Sequence, residues 1–238
     1  MKIYKFRSLS PESNPEHVYQ MISESSFWCA SPESLNDTNE FRFKMNYVPT
    51  HNTGVLLMKS LESHGRSGRP PYVTASYAIL NNSLDEVTEP IIRDVISQCR
   101  TNIGITSFSV SDSGEWLWRT YGGDGNGVVV EFEVPDDSIG HDFHFVNYVD
   151  DHEFHVDLFL SSNLDDRKSL FREMLCTKTK KWKQEQEVRF LGNAPNTSVK
   201  INNCVTGVVI GKNVSSSHRN NLVQLCESRG ISVRYQNA

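Results

Sequence analysis

The second half of the chain is rich in strand-like segments, and this pattern constrains the fold more than any other feature. The clearest segment is the β-branched run GVVVEFEV at 127–134, because valine and phenylalanine are enriched in strands. Alternation of polar and apolar residues predicts the remaining strands. They are MKIYKFRSL (1–9), NIGITSFSV (102–110), HDFHFVNYV (141–149), EVRFLG (187–192), CVTGVVIG (204–211) and ISVRYQ (231–236).

Helical segments lie between these strands. The last of them follows a serine N-cap and ends at Gly230, as helices commonly do. The predicted helices lie in SPESNPEHVYQMISESS (10–26), LDEVTEPIIRDVISQC (84–99), GEWLWRTYG (114–122), DDRKSLFREMLCTK (165–178) and SSSHRNNLVQLCESRG (215–230). Strands with helices clustered between them predict an α+β domain built on a mostly antiparallel sheet. We predict one domain over 1–238, with a helical and loop insertion at about 46–102.

Composition excludes few classes of function. The formal net charge of −5 argues against a globally basic nucleic-acid-binding protein, although it says nothing about a local patch. No apolar run approaches the roughly 20 residues that span a bilayer, so no membrane partner is predicted. The five cysteines are scattered and form no Cys-x-x-Cys pair. This pattern predicts free thiols in a cytoplasmic protein and no metal site.

The segment KTKKWKQEQEVRF at 178–190 places a basic run in front of two carboxylates. If KQEQEVRF is a strand, Glu185, Glu187 and Arg189 share one face, and the α-carbons of the two glutamates lie about 7 Å apart. Carboxylates this close repel, which can raise one pKa, and Arg189 can offset the repulsion. Two interpretations remain open: a solvated strand face with a screened ion pair, or a site of chemistry.

Two other segments carry candidate site residues. Trp116 and Tyr121 lie at helical spacing before the glycine-rich turn GGDGNG at 122–127. That turn follows a helix and precedes a strand, which is the wrong order for a phosphate-binding loop, so core aromatics and a plain turn are favoured. In the first strand, Lys5 and Arg7 face one way, and Tyr4 and Phe6 face the other, so one face presents two cations that can bind a diphosphate. Arginine can hold phosphate oxygens bidentately, but an ordinary amphipathic strand is an equal alternative.

The order of these motifs resembles a bacterial family catalogued as a domain of unknown function. The motifs that carry the resemblance are IYKFRSL, FWCASPESLNDTNEF, GITSFSVS, WLWRTYGGDGNGVVVEF, VNYVDD, KTKKWKQEQEVRF and TGVVIG. Together they span nearly the whole chain. Their arrangement in turn is similar to the ADP-ribosyltransferase fold, in which a split β core grips NAD.

The resemblance implies a role for each motif. Glu187 would stabilise the positive charge that develops on the ribose when nicotinamide leaves, as a carboxylate does in glycoside hydrolysis. Glu185 would orient or deprotonate the acceptor. The residues implied in binding NAD, which is a substrate here, are Tyr4, Arg7, Ser107, Ser109, Trp116 and Tyr121.

The acceptor is predicted from the basic run. Lys180, Lys181 and Trp182 place positive charge and one stacking surface beside Glu187. Because single strands are held by phosphate attraction and aromatic stacking, these residues predict a nucleic acid acceptor, either single-stranded RNA or DNA. A protein acceptor or a merely solubilising loop is equally compatible with the pattern. The enzyme class further implies a toxin or anti-phage effector, with an antitoxin protein as partner.

Two alternative functions stay open at this point. One is a metal-dependent nuclease that uses Asp37, Glu185 and Glu187 with Mg²⁺ or Mn²⁺. The other is a non-catalytic module that binds a ligand or partner. Substitution Glu187→Gln separates transferase from binding module: it should abolish transferase activity with little change in melting temperature, but leave the activity of a binding module intact.

Overall fold

The computed structural model describes residues 1–35, 41–65 and 68–237. They form two compact units, each assembled from separate stretches of the chain. The first unit contains Met1–Ser31, Ile103–Tyr148 and Lys180–Ala238, and the second contains Pro32–Asn102 and Val149–Thr179. Most of the predicted insertion at about 46–102 therefore falls within one stretch of the second unit. That the chain forms a single domain stays a prediction.

The described residues contain strands and helices in mixed order, which confirms the α+β class. The strands are β1 (Lys2–Ser8), β2 (Ser26–Cys29), β3 (Lys44–Asn46), β4 (Gly104–Ser109), β5 (Gly127–Glu133), β6 (Phe143–Phe145), β7 (Asn147–Val149), β8 (Glu153–His155), β9 (Thr177–Thr179), β10 (Glu187–Gly192), β11 (Thr197–Lys200), β12 (Val205–Ile210) and β13 (Ser232–Tyr235). The helices are α1 (Glu16–Glu24), α2 (Thr53–His64), α3 (Pro71–Leu80), α4 (Leu84–Asn102), α5 (Glu115–Thr120), α6 (Val156–Leu160), α7 (Leu164–Leu175) and α8 (Ser216–Arg229).

The first unit is built on a seven-stranded sheet with the strand order β13-β12-β5-β1-β4-β10-β6. Neighbouring strands are antiparallel except β12 and β13, which are parallel. The prediction of a mostly antiparallel sheet is therefore confirmed. Valines and phenylalanines from β5, β10 and β12 pack on one face of this sheet, with apolar residues of α1 and α8 against them. Burial of this apolar surface is the main stabilising contribution to the unit.

Strand β1 is paired very differently along its two edges. It pairs with β5 along its whole length, from Lys2 opposite Glu133 to Ser8 opposite Gly127. With β4 it forms a single pair, Tyr4 opposite Ser109. The sheet therefore consists of two half-sheets, β13-β12-β5-β1 and β4-β10-β6, which are joined by one residue pair.

The glycine-rich turn brings the chain close to β1. It contains the short 3₁₀ helix Gly123–Gly125 and leads into β5. A Cβ atom at Gly127 would lie 2.3 Å from the carbonyl oxygen of Arg7. Only a residue without a side chain permits this approach, so the glycine has a packing role at the end of β1.

The second unit combines helices α2, α3, α4, α6 and α7 with a parallel pair of short strands, β3 and β8. An aromatic cluster of Phe43, Phe154 and Phe159 supports it, with ring centroids 4.8 to 5.9 Å apart. Within residues 1–35, 41–65 and 68–237, none of the helices combines the length and the apolar character required to cross a membrane.

Candidate functional site

A buried ion pair lies at the start of β10. Arg189 Nε donates a hydrogen bond to Glu187 Oε1 at 2.7 Å, and Nη2 donates to Oε2 at 3.3 Å. Only 4% of Glu187 and 1% of Arg189 is exposed. The two side chains share one face of the strand, as strand alternation predicts. The guanidinium thus fixes the carboxylate in one orientation, with both of its oxygens engaged.

Glu185 does not lie on this strand, so the prediction of one continuous strand through both glutamates is wrong. Lys180–Glu185 forms a 3₁₀ helix, and Gln186 has the left-handed φ angle of 45°. The carbonyl of Gln186 accepts a hydrogen bond from the Val110 N–H, which holds this turn at the end of the sheet. Since a left-handed residue interrupts the alternation, the two carboxylates are presented by different elements.

Glu185 is nevertheless buried and has a defined partner. It is 4% exposed, and the Tyr121 hydroxyl donates to its Oε1 at 2.6 Å. Tyr121 directly follows α5 and contacts Trp116 edge to face, with ring centroids 5.9 Å apart. The structure therefore brings together the predicted residues Trp116, Tyr121 and Glu185.

The partners of Glu187 across the sheet come from β4 and β1. Glu187 lies opposite Ser109, which in turn lies opposite Tyr4, so these three residues project from the same face. Ser107 lies opposite Arg189 on that face. Of the residues predicted to bind NAD, Tyr4, Ser107 and Ser109 therefore share a face with the catalytic candidate.

Tyr148 belongs to the site but was not predicted. The Glu187 backbone N–H donates to the Tyr148 hydroxyl oxygen at 2.9 Å. Burial, opposed by this hydrogen bond, raises the pKa of Tyr148 to about 12, so its hydroxyl stays protonated at neutral pH. The sequence offered one signal, the motif VNYVDD, but no spacing that connects it with β10.

Two cations project from the opposite side of β1. By alternation, Lys5 and Arg7 point away from Tyr4 and Phe6, along the part of β1 that β4 leaves unpaired. Arg7 Nε is buried without a hydrogen-bond partner, and no residue in the described parts of the chain forms an ion pair with the guanidinium. Burial lowers the pKa of Arg7. Within the part of the chain that the structure describes, Arg7 is therefore a charge without a counter-charge.

Lys5, which shares the cationic face of β1 with Arg7, crosses the break between the half-sheets. Its Nζ donates to the carbonyl oxygen of Ser107 at 2.5 Å and lies 5.6 Å from the centroid of the Phe108 ring. Burial and then the neighbouring Arg7 guanidinium lower the pKa of Lys5 to about 7, and the Glu187 carboxylate acts in the opposite direction. The amine therefore titrates near neutral pH, within electrostatic range of Glu187.

The predicted acceptor residues lie on the 3₁₀ helix before Glu185. Lys180 and Lys181 are exposed, and Trp182 is partly buried. The Lys181 Nζ lies 5.0 Å from the centroid of the Trp182 ring. Trp182 also contacts Trp116 edge to face, with ring centroids 6.2 Å apart. The basic run is thus joined by aromatic contacts to the site around Glu185.

The geometry gives no support to a metal centre. Among the described residues, no three His, Cys, Asp or Glu side chains are grouped so that they could hold a metal ion. Asp37, which the nuclease hypothesis requires, lies outside the described residues. The five cysteines are free thiols, and all five are buried.

Comparison with known proteins gives one match. A family model described as "Protein of unknown function (DUF2971)" matches residues 117–190. This segment is less than half of the chain; it contains Tyr121, Tyr148, Glu185, Glu187 and Arg189 but not β1 or β4. No curated protein and no solved structure matches the chain. The family description carries no activity, so the function has to be argued from the site.

Proposed function

We propose that the protein is an NAD-dependent mono-ADP-ribosyltransferase that modifies a macromolecule. One observation carries this proposal: beside the break between β1 and β4, a buried, fixed carboxylate lies on one face of the sheet and two cations project from the other face of β1, one of them reaching across the break. Glu187 supplies the carboxylate, and Lys5 and Arg7 supply the cations. A substrate for this arrangement combines a group that becomes positive during reaction with an anionic group that is negative throughout.

NAD has both properties. Its diphosphate carries two negative charges, and the half-buried Arg7 guanidinium, which has no counter-charge among the described residues, is stabilised when an anion reaches it. Arg7 can hold two phosphate oxygens through its fork of donors, and protonated Lys5 can add a further charge-assisted hydrogen bond. Tyr4 and Trp116 supply partly buried aromatic surface within one cluster, which suits a planar nicotinamide ring.

In the proposed reaction the bond between ribose C1′ and the nicotinamide nitrogen breaks. Both bonding electrons leave with nicotinamide, which departs as a neutral molecule, and positive charge develops on the ribose. Glu187, held by Arg189, stabilises that charge without having to reorient. An acceptor oxygen or nitrogen then forms a bond to C1′, and its proton is taken up by Glu185. The Tyr121 hydroxyl keeps Glu185 oriented for this step.

The biological setting belongs to the same proposal. The chain is proposed to act in the cytoplasm as a toxin or anti-phage effector, with an antitoxin protein as its neutralising partner. Its support is the motif order described above and the free, buried state of the five cysteines, which suits a reducing compartment.

The test is nicotinamide release from labelled NAD by purified protein, with total cellular RNA and protein as acceptors. Glu187→Gln should reduce the release rate by a factor on the order of 10² to 10³, the usual effect of removing a group that stabilises transition-state charge. Glu131→Gln is the matched control, because Glu131 is a glutamate on β5 that is also 4% exposed and ion-paired, to Lys2 and Arg234. It should retain activity.

Two other outcomes would reject the proposal. Shortened nucleic acid that appears only with Mg²⁺ or Mn²⁺, with no nicotinamide released, would indicate the nuclease. Full biological activity of the folded Glu187→Gln variant would indicate a binding module.

A further inference from the structure

We infer that Lys180, Lys181 and Trp182, with Trp116 behind them, bind single-stranded nucleic acid as the acceptor of the reaction. We name these four residues the lysine–tryptophan surface. The inference rests on the proposed function, because only a transferase has an acceptor. Three observations support the inference. They are a run of exposed lysines, the contact between Trp116 and Trp182, and a series of contacts from this tryptophan pair to the Glu185 carboxylate.

The cations are brought together by the 3₁₀ helix Lys180–Glu185. Lys180, Lys181 and Lys183 are all exposed on it. Side chains three residues apart eclipse each other in a 3₁₀ helix, so Lys180 and Lys183 extend from the same side. This spacing concentrates positive charge in one short segment of a chain whose net charge is −5. A local patch of this kind attracts a few phosphates of a flexible strand.

The aromatic pair supplies the second contact. Trp116 and Trp182 meet at an interplanar angle of 73°, with ring centroids 6.2 Å apart. Edge-to-face packing is a favourable arrangement of two aromatic rings, and both Trp116 and Trp182 are only partly buried. The Lys181 ammonium lies 5.0 Å from the centroid of the Trp182 ring, over the electron-rich face of the indole. A nucleobase can stack on the same face. A stacking base would release this ammonium to an adjacent phosphate.

Contacts continue from this pair to the proposed general base. Trp116 packs on Tyr121, and the Tyr121 hydroxyl donates to Glu185. Trp182 also precedes Glu185 by three residues in the same 3₁₀ helix. A nucleotide stacked at the lysine–tryptophan surface would therefore place a neighbouring nucleotide at Glu185. A single strand fits this arrangement, because its unpaired bases expose both stacking faces and reactive atoms.

Binding is measured first, without NAD. A fluorescently labelled single-stranded RNA oligonucleotide, its DNA counterpart and the matching duplex are titrated with the full chain, and anisotropy is recorded over a range of salt concentrations. Trp182→Ala should weaken single-strand binding about 5- to 150-fold, the usual effect of losing one stacked base, and leave the salt dependence unchanged. Lys180→Ala/Lys181→Ala should lower the slope of log affinity against log salt by about 0.7 for each phosphate that the variant no longer neutralises.

Matched controls lie elsewhere in the same unit. Trp28 on β2 is 50% exposed, so Trp28→Ala removes a tryptophan with no predicted effect on binding. Lys212 is an exposed lysine that follows β12, and Lys212→Ala should leave the salt slope unchanged. The double lysine variant removes only exposed side chains, so it keeps the test decisive even where Trp182→Ala impairs folding.

Transfer is measured second, with labelled NAD and a mixture of the oligonucleotide and cellular protein. We expect label on the single strand, and loss of that label in both surface variants. In the double lysine variant, which changes only exposed side chains, slow nicotinamide release to water should continue. Label on protein alone, or single-strand binding that neither variant weakens, overturns the inference and leaves the proposed function standing. Oligonucleotide binding without any nicotinamide release overturns the proposed function instead.

Discussion

Arg189 and Arg7 belong to the same sheet, and their surroundings are opposite. Arg189 is 1% exposed and donates two hydrogen bonds to the Glu187 carboxylate. Arg7 has a buried Nε without a partner and, among the described residues, no ion pair. A buried charge is tolerated when a partner compensates it, and is costly otherwise. The first arginine is therefore part of a compensated pair, whereas the charge of the second has no compensating partner among the described residues, which is why we propose that it binds an anionic substrate.

The largest expected effect is a loss of stability when Arg189 is replaced, and it tests whether Arg189 has a structural role that Arg7 lacks. Arg189→Met removes the guanidinium that donates two hydrogen bonds to the buried Glu187 carboxylate, so the free energy of unfolding should fall by about 3–5 kcal/mol. Glu187→Gln should also destabilise, because it removes the carboxylate charge that pairs with the Arg189 guanidinium. The buried pair thus replaces the sequence-based expectation that Glu187→Gln hardly changes the melting temperature. Urea-induced unfolding followed by tryptophan fluorescence measures both variants.

A double-mutant cycle controls for this effect. The double variant Glu187→Gln/Arg189→Met contains neither buried charge, so its loss should be smaller than the sum of the two single losses by roughly 0.5–3 kcal/mol. Glu131→Gln should lose less than Glu187→Gln, since the side chains of its partners Lys2 and Arg234 are 53% and 49% exposed. Additive losses in the cycle would show that Arg189 and Glu187 are not coupled.

The next effect concerns Arg7. Replacement of Arg7 is expected to weaken NAD binding without lowering stability, the reverse of the expectation for Arg189. Arg7→Met should weaken NAD binding by about 10- to 100-fold, which corresponds to the roughly 1.5–3 kcal/mol of a hydrogen bond to a charged group. It should leave the free energy of unfolding nearly unchanged or raise it, because it removes a half-buried charge that has no ion pair among the described residues. Isothermal titration calorimetry with NAD and a denaturant titration test the two halves of this prediction.

Arg119→Met is the control for Arg7→Met, since Arg119 is an exposed arginine in an i,i+4 pair with Glu115. It should change neither NAD affinity nor stability measurably. Strong destabilisation by Arg7→Met, with NAD affinity preserved, would make Arg7 a structural residue like Arg189 and remove the contrast between them.

The two arginines also differ in how far they could be predicted from sequence. Period-two alternation is a local property, so it correctly placed Glu187 and Arg189 on one face of β10. Glu185 was misplaced because the left-handed backbone of Gln186 is supported by a hydrogen bond to Val110, a residue distant in sequence. Such a tertiary contact leaves no periodic signal.

The break beside β1 was expected only through the family resemblance. Alternation identifies β1 and β4 as strands, but it cannot show that they pair at Tyr4 and Ser109 alone. The unpaired strand edge beside Arg7 and the lack of a counter-charge there follow from that break. Alternation places Lys5 beside Arg7 as a second cation, but it cannot show that the Lys5 Nζ reaches across the break to Ser107. The different surroundings of Arg7 and Arg189 thus depend on how the strands pair, which the alternation within each strand does not show.

A smaller effect is expected at Tyr121, which orients the second carboxylate. Tyr121→Phe removes the hydroxyl that donates to Glu185 and keeps the ring against Trp116. If Glu185 acts only on the acceptor, transfer to the oligonucleotide should fall about tenfold, while nicotinamide release to water changes less. Equal loss of both rates would instead assign Glu185 to the cleavage step. The ratio of the two rates, measured in one reaction with labelled NAD, decides between them.

The smallest effect concerns Lys5, which is intermediate between the two arginines because it can lose its charge. Its pKa of about 7 in the free protein means that Lys5 is protonated below neutral pH and mostly neutral above it. NAD affinity should therefore decrease as pH rises through about 7, by up to about fivefold, the effect of one screened ion pair of about 1 kcal/mol. Lys5→Met should abolish this pH dependence.

Stability should respond to Lys5 with the opposite sign. Because burial and Arg7 lower its pKa in the folded chain, the unfolded chain binds more protons between pH 7 and the unfolded value of 10.5. The contribution of Lys5 to the free energy of unfolding therefore rises with pH across that window, and Lys5→Met should remove the rise. The same pH profile in Lys5→Met and wild type, for both affinity and stability, would exclude Lys5 as the titrating group. If Lys5→Met abolishes the pH dependence of NAD affinity but not that of stability, the amine contacts the anion without being destabilised in the free protein. Arg7 would then be the one uncompensated cation among the described residues.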